Sequence, residues 1–316
     1  MNQKNENVLI LEDLGITREE FVKMASRSKL PYNFLWNGDE NKVNKEHISG
    51  LITIKNKIDR QILDVYPEIK FIAVAFTGFD NIDLRECKKR NIAVYNVPAY
   101  STESVAELTV GLAISLLREI PAADRLVHEK KWDLGHAGNE LCGKTIGILG
   151  TGAIGNRAAE LFRAFKCEII GWSRTARREF RNLEGQYVAS SKELFSSSDI
   201  VSVHLPLNDE TRRYVDKKLL DAMNPNAYLI NTSRGGVVDK DALVETLINK
   251  KISGAAIDVF DQEPLPSDDP LLSLTNIILT PHIAYKTKEA LIRRVKGALA
   301  NIRNFAKGKD INRVDK

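Results

Sequence analysis

Short runs of apolar, β-branched residues recur along the chain, separated by segments whose apolar residues follow helical spacing. This alternation is typical of parallel strands buried on both faces by crossover helices, so the sequence predicts an α/β fold. The predicted strands are Val8–Leu11, Leu51–Ile54, Phe71–Ala75, Ile92–Tyr95, Thr145–Leu149, Cys167–Trp172, Ile200–His204, Ala227–Asn231, Gly254–Val259 and Asn276–Leu279. This many strands fit two sheets better than one.

A long helix is predicted between the fourth and fifth of these strands, over Thr102–Glu119. Ser101 or Thr102 is a suitable N-cap for it, and Pro98 is expected to end the preceding strand. Pro121 is expected to close the helix. Because it lies between the two groups of strands, we expect this helix to link two domains.

The composition agrees with such an organisation and excludes several other classes of protein. A length of 316 residues corresponds to about two domains. With 43% hydrophobic and 28% charged residues, the chain is neither disordered, collagen-like nor coiled-coil. The 46 basic and 42 acidic residues leave a dispersed net charge of +4, which is too weak to predict a nucleic-acid or membrane partner.

Cysteine usage and the N-terminal segment bear on location. The cysteines, Cys87, Cys142 and Cys167, are far apart in the sequence, so we expect no disulfide framework and no metal site. The segment Met1–Ile10 is polar, and no apolar run approaches the roughly 18 residues of a membrane span. These features predict a cytoplasmic protein.

A glycine-rich loop follows the strand Thr145–Leu149 and precedes a helical segment. It reads Gly150-Thr151-Gly152-Ala153-Ile154-Gly155, the GxGxxG pattern of dinucleotide-binding turns. The glycines allow a tight turn and let the backbone N–H groups of Gly150, Gly152, Ala153, Ile154 and Gly155 approach a pyrophosphate. The alternative is a glycine-rich turn in an unrelated α/β domain. The position of the loop between a strand and a helix favours dinucleotide binding over this alternative.

The next strand lacks the carboxylate that usually binds the ribose hydroxyls of NAD. It ends in Gly171-Trp172-Ser173-Arg174-Thr175, with Arg177 and Arg178 close behind. Arg174 can pair with the 2′-phosphate of NADP, and Ser173 and Thr175 offer hydroxyl groups to the same ligand. The sequence therefore favours NADP(H), with NAD(H) possible if Arg174 is simply a solvated loop cation.

Polar residues at three later strand ends suggest a reaction. In an open parallel sheet, ligands bind at the carboxyl ends of the strands, and Arg234, Glu263 and His282 follow three such ends. Reduction of a 2-oxo acid needs a cation, a proton donor and an acid that holds the donor, which these residues match in that order through Arg234, His282 and Glu263. The spacing alone leaves open that His282 is structural and that Arg234 caps a helix.

A series of motifs runs through the chain: Thr77-Gly78-Phe79-Asp80-Asn81-Ile82-Asp83, Ser104-Val105-Ala106-Glu107, the Gly150–Gly155 loop, His204-Leu205-Pro206-Leu207, Asn231-Thr232-Ser233-Arg234-Gly235, Asp258-Val259-Phe260 with Glu263-Pro264, and Thr280-Pro281-His282-Ile283. Together they make nearly the whole sequence resemble the D-isomer-specific 2-hydroxyacid dehydrogenases. The resemblance implies a flavodoxin-like substrate domain of residues 1–97, which residues 285–316 complete. It also implies an inserted Rossmann domain of residues 98–284 and a homodimer formed near the long helix.

The same resemblance assigns roles to individual residues. It implies that Arg234, Glu263 and His282 are catalytic, and that the backbone amides of Thr77 and Gly78 hold the substrate carboxylate. The cofactor-binding residues that it implies beyond the glycine loop and the Ser173–Thr175 segment are Thr102, His204, Leu205, Pro206, Thr211, Thr232, Ser233, Arg234, Asp258 and His282. Among these, Asp258 is expected to contact the nicotinamide carboxamide.

Two segments resemble different branches of the family, and these branches imply different substrates. Ile54-Lys55-Asn56-Lys57 and Tyr100–Ser104 resemble the glycerate dehydrogenase or hydroxypyruvate reductase branch, whereas Ala284–Thr287 resembles lactate-type branches. We expect hydroxypyruvate or glyoxylate, with Lys55 or Asn56 hydrogen-bonded to a substrate hydroxyl. The alternatives are an NADH-dependent D-lactate or longer-chain 2-hydroxyacid dehydrogenase and, from another class, a nucleotide-sensing corepressor of the same fold.

Overall fold

The computed structural model describes residues 6–39 and 45–316, so the first five residues of the Met1–Ile10 segment lie outside it. The chain divides into two units. The first unit consists of the chain up to Ser101 together with Thr287–Lys316, and the second unit consists of Thr102–Lys286. These divisions lie a few residues after the 97/98 and 284/285 boundaries expected from the sequence.

The described part of the first unit contains a five-stranded parallel sheet in the order β2-β1-β3-β4-β5. Its strands are β1 (Glu6–Ile10), β2 (Tyr32–Trp36), β3 (Ile48–Thr53), β4 (Phe71–Val74) and β5 (Ala93–Asn96). The helices between them are α1 (Arg18–Ser28), α2 (Arg60–Val65) and α3 (Leu84–Lys89). This strand order is the flavodoxin-like one.

The described part of the second unit contains a seven-stranded parallel sheet in the order β12-β11-β10-β9-β6-β7-β8. The strands are β6 (Thr145–Leu149), β7 (Glu168–Trp172), β8 (Gln186–Tyr187), β9 (Ile200–Val203), β10 (Tyr228–Asn231), β11 (Gly254–Ile257) and β12 (Ile277–Leu279). The helices are α4 (Thr102–Leu117), α5 (Ile120–His128), α6 (Ala153–Ala164), α7 (Arg178–Asn182), α8 (Ser191–Ser197), α9 (Lys217–Leu220) and α10 (Lys240–Ile248).

The strand order in the second unit reverses between β6 and β9, which is the Rossmann arrangement with an added strand. The predicted fold class, two parallel-sheet α/β domains of which one is Rossmann-like, is therefore confirmed. Two strands are not predicted by the sequence. The edge strand β2 is only partly buried and the edge strand β8 has two residues, so neither produces the continuous apolar run of a central strand.

The long helix α4 departs from its predicted end. It stops at Leu117, and Pro121 does not close it but lies in the first turn of α5. Proline is tolerated there because an N–H group in the first helical turn needs no partner within the helix. Glu119 adopts the left-handed conformation at φ 50° and separates the two helices. Helix α4 begins where the chain enters the second unit, and it packs against α6.

The last helix, α11 (Lys288–Ala306), belongs to the first unit. Its buried residues include the apolar stripe Leu291, Val295, Leu299 and Ile302, and it packs against α1, β4 and β5. Beyond the helix, the Asp315 carboxylate accepts a hydrogen bond from the backbone N–H of Val94 in β5 at 2.7 Å. The described residues contain no helix that is both long and apolar enough to cross a bilayer.

Candidate active site

The glycine loop joins β6 to α6, and its first and last glycines are required by backbone geometry. Gly150 lies at φ +98°, and a Cβ atom there would lie 2.7 Å from the carbonyl oxygen of His204. A Cβ atom on Gly155 would lie 2.1 Å from the carbonyl oxygen of Gly150. No residue other than glycine can form this turn without a backbone shift.

The middle of the loop offers space beside a helix N-terminus. Gly152 is the N-cap of α6, and among the described residues no atom lies within 4 Å of a Cβ built at this position. The backbone N–H groups of Ala153, Ile154 and Gly155 belong to the first turn of the helix, where N–H groups lack helical acceptors. The positive end of the helix dipole adds to this preference for an anion. The loop therefore fits the pyrophosphate of a dinucleotide.

Two threonines predicted to bind the cofactor differ in their surroundings. The Thr102 hydroxyl is buried and has no hydrogen-bond partner among the described residues. This orphaned donor fits a contact with a bound ligand. The hydroxyl oxygens of Thr232 and Thr109 lie 3.1 Å apart. The Ser233 hydroxyl donates a hydrogen bond to Asn231 Oδ1 at 2.8 Å. Thr232 and Ser233 are thus already tied to neighbouring side chains.

The segment after β9, which includes Leu205 and Pro206, borders the glycine loop. Ser202 Oγ lies 2.8 Å from His204 Nε2, and burial lowers the pKa of His204 to about 4. His204 is consequently neutral at physiological pH and adds no charge beside a phosphate. Thr211 is buried, and its hydroxyl donates to the carbonyl of Pro206 at 2.5 Å. Its observed role is to hold the turn that follows.

At the end of β7, the predicted cation has an unpredicted partner. Ser173 is partly buried, whereas Arg174 and Thr175 are exposed. The Arg174 guanidinium contacts the carboxylate of Glu210, which lies in the segment after β9. No sequence motif points to Glu210, because it stands 36 residues from Arg174.

His282 and Glu263 form a hydrogen-bonded pair beyond the ends of β12 and β11. Nδ1 of His282 lies 2.7 Å from Oε2 and 2.9 Å from Oε1 of Glu263. An acceptor at Nδ1 fixes the tautomer that carries its proton there, so Nε2 is the ring nitrogen that can serve a substrate. Glu263 is itself oriented by the backbone N–H of Phe260, which donates to Oε1 at 3.2 Å.

A buried carboxylate holds the backbone that carries His282. Asp258, at the end of β11, is fully buried, and its Oδ1 accepts from the Thr280 hydroxyl at 2.6 Å. The backbone N–H groups of Ile283 and Ala284 donate to Oδ1 and Oδ2, each at 2.9 Å. Between these contacts, His282 adopts the left-handed conformation at φ 50°. Asp258, which is predicted to contact the carboxamide, therefore holds the segment around His282 in place.

Arg234 follows β10, the strand next to β11. It is the N-cap residue of the short turn Gly235–Val237, but among the described residues its side chain makes no capping hydrogen bond to that turn. A Cβ atom on Gly235 would lie 2.2 Å from the carbonyl carbon of Phe260, so this turn packs against the Asp258–Glu263 segment. The strands before Arg234, Glu263 and His282 are neighbours, which places the three segments at one sheet edge.

The substrate-binding residues predicted in the first unit lie on two loops that are tied together. The Glu12 carboxylate accepts from the backbone N–H groups of Ile54, Lys55 and Asn56, at 2.5 Å for Asn56. Asn81 donates to the carbonyl of Asn56 at 2.7 Å. The side chains of Lys55 and Asn56 are exposed. No sequence motif points to Glu12, because its contacts are with residues more than forty positions away in the chain.

Thr77 and Gly78 follow β4 on the second of these loops. The Thr77 hydroxyl donates to the carbonyl of Val97 at 3.1 Å, and Asn96 donates to the carbonyl of Thr77 at 2.7 Å. Among the described residues, the backbone N–H groups of Thr77 and Gly78 donate to no backbone carbonyl. They fit the predicted role of binding a carboxylate. Residues 6–39 and 45–316 contain no cluster of three or more His, Cys, Asp or Glu side chains suited to a metal ion.

Comparison with known proteins places this site in a family context. Residues 110–284 match the family described as "D-isomer specific 2-hydroxyacid dehydrogenase, NAD binding domain". A glyoxylate reductase from Thermofilum pendens is 40% identical over 264 residues, which cover 82% of this chain and 78% of the relative.

Solved structures resemble the whole chain. A D-lactate dehydrogenase from Aquifex aeolicus, complexed with NAD and lactic acid, superposes with a TM-score of 0.85 at 30% identity, covering 98% of this chain and 99% of that one. An NADPH-dependent glyoxylate/hydroxypyruvate reductase from Sinorhizobium meliloti, in complex with NADP and malonate, has a TM-score of 0.84 at 27% identity, with coverages of 98% and 97%.

Proposed function

The chain belongs to the D-isomer-specific 2-hydroxyacid dehydrogenases, and we propose that it reduces glyoxylate or hydroxypyruvate to the corresponding 2-hydroxy acid. It is an oxidoreductase that uses a nicotinamide cofactor. The observation that supports the proposed chemistry is the hydrogen-bonded pair of His282 and Glu263. This pair lies at the carboxyl edge of the sheet in which β6 leads into the glycine loop. The similarity to a glyoxylate reductase supports the substrate class.

The side chains of the second unit divide the chemistry among them. A nicotinamide cofactor held at the Gly150–Gly155 loop would supply a hydride for C2 of the substrate. His282 gives the proton on Nε2 to the carbonyl oxygen, and solvent restores it in the next cycle. Glu263 accepts from Nδ1–H and stabilises the protonated ring by its charge, while the fork of donors on Arg234 orients and polarises the substrate. The net reaction consumes one reduced cofactor and one proton for each 2-oxo acid.

The first unit is the proposed substrate domain and the second the proposed dinucleotide domain. The backbone amides of Thr77 and Gly78 are proposed ligands of the substrate carboxylate. The loop of Lys55 and Asn56 is a proposed contact for a substrate hydroxyl. The network of Glu12 and Asn81 supports this assignment because it fixes the backbone of that loop. Arg174 supports a preference for NADPH with NADH also accepted.

The substrate proposal predicts a ranking of 2-oxo acids. We expect kcat/KM for hydroxypyruvate to exceed that for pyruvate by about tenfold or more, because a site that hydrogen-bonds a substrate hydroxyl rejects an analogue that lacks it. The measurement is NADPH and NADH oxidation with glyoxylate, hydroxypyruvate, pyruvate and a longer 2-oxo acid. A preference for pyruvate with NADH would favour the D-lactate alternative, and no turnover with any acid would favour the nucleotide-sensing protein.

We also propose that the protein is a homodimer and that α5 lies in its interface. Among the described residues of α5, none is buried, and Val127 is 53% exposed. Trp132, which follows the helix, is 89% exposed. Exposed apolar residues in neighbouring parts of the chain support an interface at this place. A cytoplasmic location is part of the same proposal, and the free cysteines Cys87, Cys142 and Cys167 support it.

The dimer proposal makes a prediction for sedimentation. Wild type should sediment at twice the chain mass, and Val127→Asp should shift it to the monomer at micromolar concentration because a charge would be buried in the interface. Val22→Asp is the matched control, since Val22 on α1 is also 53% exposed and lies outside the proposed interface. A monomeric wild type, or a dimer that Val127→Asp leaves intact, would contradict the proposal.

A further inference from the structure

We propose that Glu210 is the acidic residue of the adenosine ribose site and that it limits how strongly the protein prefers NADPH over NADH. This inference rests on the proposed use of both cofactors. The strand β7 ends without a carboxylate, at Trp172-Ser173-Arg174. The Arg174 guanidinium nevertheless contacts the carboxylate of Glu210, which arrives from the segment after β9. The fold thus places an acid beside the cation that is proposed to select NADP(H).

The position of both segments in the sheet makes them part of the cofactor site. Strands β7 and β9 flank β6 on its two sides. Because β6 carries the glycine loop, the segments that follow its neighbours border the place where the pyrophosphate fits. Arg174 and Glu210 contact one another from these two segments.

The backbone beneath Glu210 is held in place by its neighbours. The Asn208 Oδ1 atom accepts from the N–H groups of Glu210 and Thr211, each at 3.0 Å. The rings of Trp172 and Tyr214 stack with their centroids 5.5 Å apart and join the same two segments. These contacts therefore hold the backbone of Glu210 in a position from which its side chain contacts Arg174. Both side chains are about two-thirds exposed.

The charges of the two cofactors explain why this acid discriminates. NADP carries a 2′-phosphate, and a carboxylate touching its cationic partner would repel that phosphate and compete for the same guanidinium. NAD has a 2′-hydroxyl instead, and a carboxylate accepts hydrogen bonds from ribose hydroxyls. Glu210 should therefore weaken NADPH binding and support NADH binding. Because an exposed ion pair contributes little to folding, replacing Glu210 should leave the fold intact.

The test measures the dissociation constants of NADPH and NADH by fluorescence titration, without turnover. For Glu210→Gln we expect Kd for NADPH to fall about fivefold and Kd for NADH to rise about twofold, so that their ratio shifts by about tenfold. Arg174→Gln should raise only the Kd for NADPH. The matched control is Asp209→Asn, which removes the same charge from the neighbouring exposed residue and should shift the ratio less than about twofold.

The outcomes separate this inference from the proposed function. A ratio that is unchanged in Glu210→Gln, or equally changed in Asp209→Asn, overturns the role of Glu210 even if the protein reduces glyoxylate. The expected shift in a protein that reduces no 2-oxo acid supports Glu210 and overturns the proposed reaction. A wild type that binds neither nucleotide overturns both.

Discussion

Replacing His282 by alanine is expected to lower kcat by about 10²- to 10⁴-fold, the range over which a positioned general acid contributes. The reason is that Nε2 of His282 is the proposed proton donor to the substrate oxygen, while Glu263 occupies Nδ1 at 2.7 Å. Most of the proposed cofactor contacts lie elsewhere, in the glycine loop and the Ser173–Thr175 segment, so Kd for NADPH should change far less than kcat. Steady-state kinetics with glyoxylate and fluorescence titration of NADPH measure the two effects separately.

A second histidine–glutamate pair provides the control for this variant. His136 Nε2 lies 2.5 Å from Glu119 Oε1, outside the proposed site. His136→Ala removes a histidine from a similar pair and should leave kcat unchanged. Near-normal turnover in His282→Ala would remove His282 from the mechanism, and an equal loss in both variants would indicate a general effect on the fold.

Replacing Asp258 by asparagine is expected to lower kcat by about 10- to 100-fold and the free energy of unfolding by about 2 kcal/mol. The buried carboxylate accepts from the hydroxyl of Thr280 and from the backbone N–H groups of Ile283 and Ala284. An asparagine would turn an NH₂ group toward one of these donors. The segment around His282 would then shift, and the imidazole would lose its alignment with the substrate.

The matched control for this variant is another buried aspartate away from His282. Asp269 accepts from the N–H of Leu271 at 3.0 Å and pairs with Lys240 at 2.9 Å. Asp269→Asn should lower Tm by a comparable amount without the loss of kcat. Thermal unfolding and kinetics of both variants distinguish the cases. If Asp258→Asn loses stability but keeps its kcat, the position of His282 does not depend on this carboxylate.

The sequence predicts the central strands and the edge at which the candidate site lies, because both follow from local patterns. Buried parallel strands appear as continuous apolar runs, and the residue that follows each run must lie at the carboxyl edge. Arg234, Glu263 and His282 are found in this way. The edge strand β2 is not found, because it is only partly buried and lacks such a run. The prediction that Pro121 closes α4 is wrong, because a proline can also lie in the first turn of a new helix, as it does in α5.

The remaining parts of the site depend on contacts between residues far apart in the chain. Glu210 contacts Arg174, and Glu12 contacts the backbone of Asn56, because the order of the strands in each sheet brings these residues together. Asp258 is visible in its motif, but the three donors around it are not. Whether a polar residue binds a ligand or another segment of the protein is a three-dimensional property. The sequence can therefore identify Asp258 and Arg174 as candidate site residues, but it cannot identify the residues that they contact.

The return of α11 to the first unit has a consequence for how the chain folds during synthesis. The ribosome delivers β1 to β5 first, yet α11, which packs on β4 and β5, follows after the whole second unit. The hydrogen bond between Val94 and Asp315 joins residues 221 positions apart. The second unit is one continuous segment and can complete its core while the earlier sheet still exposes an apolar face. In this protein the middle of the chain is expected to fold before its beginning.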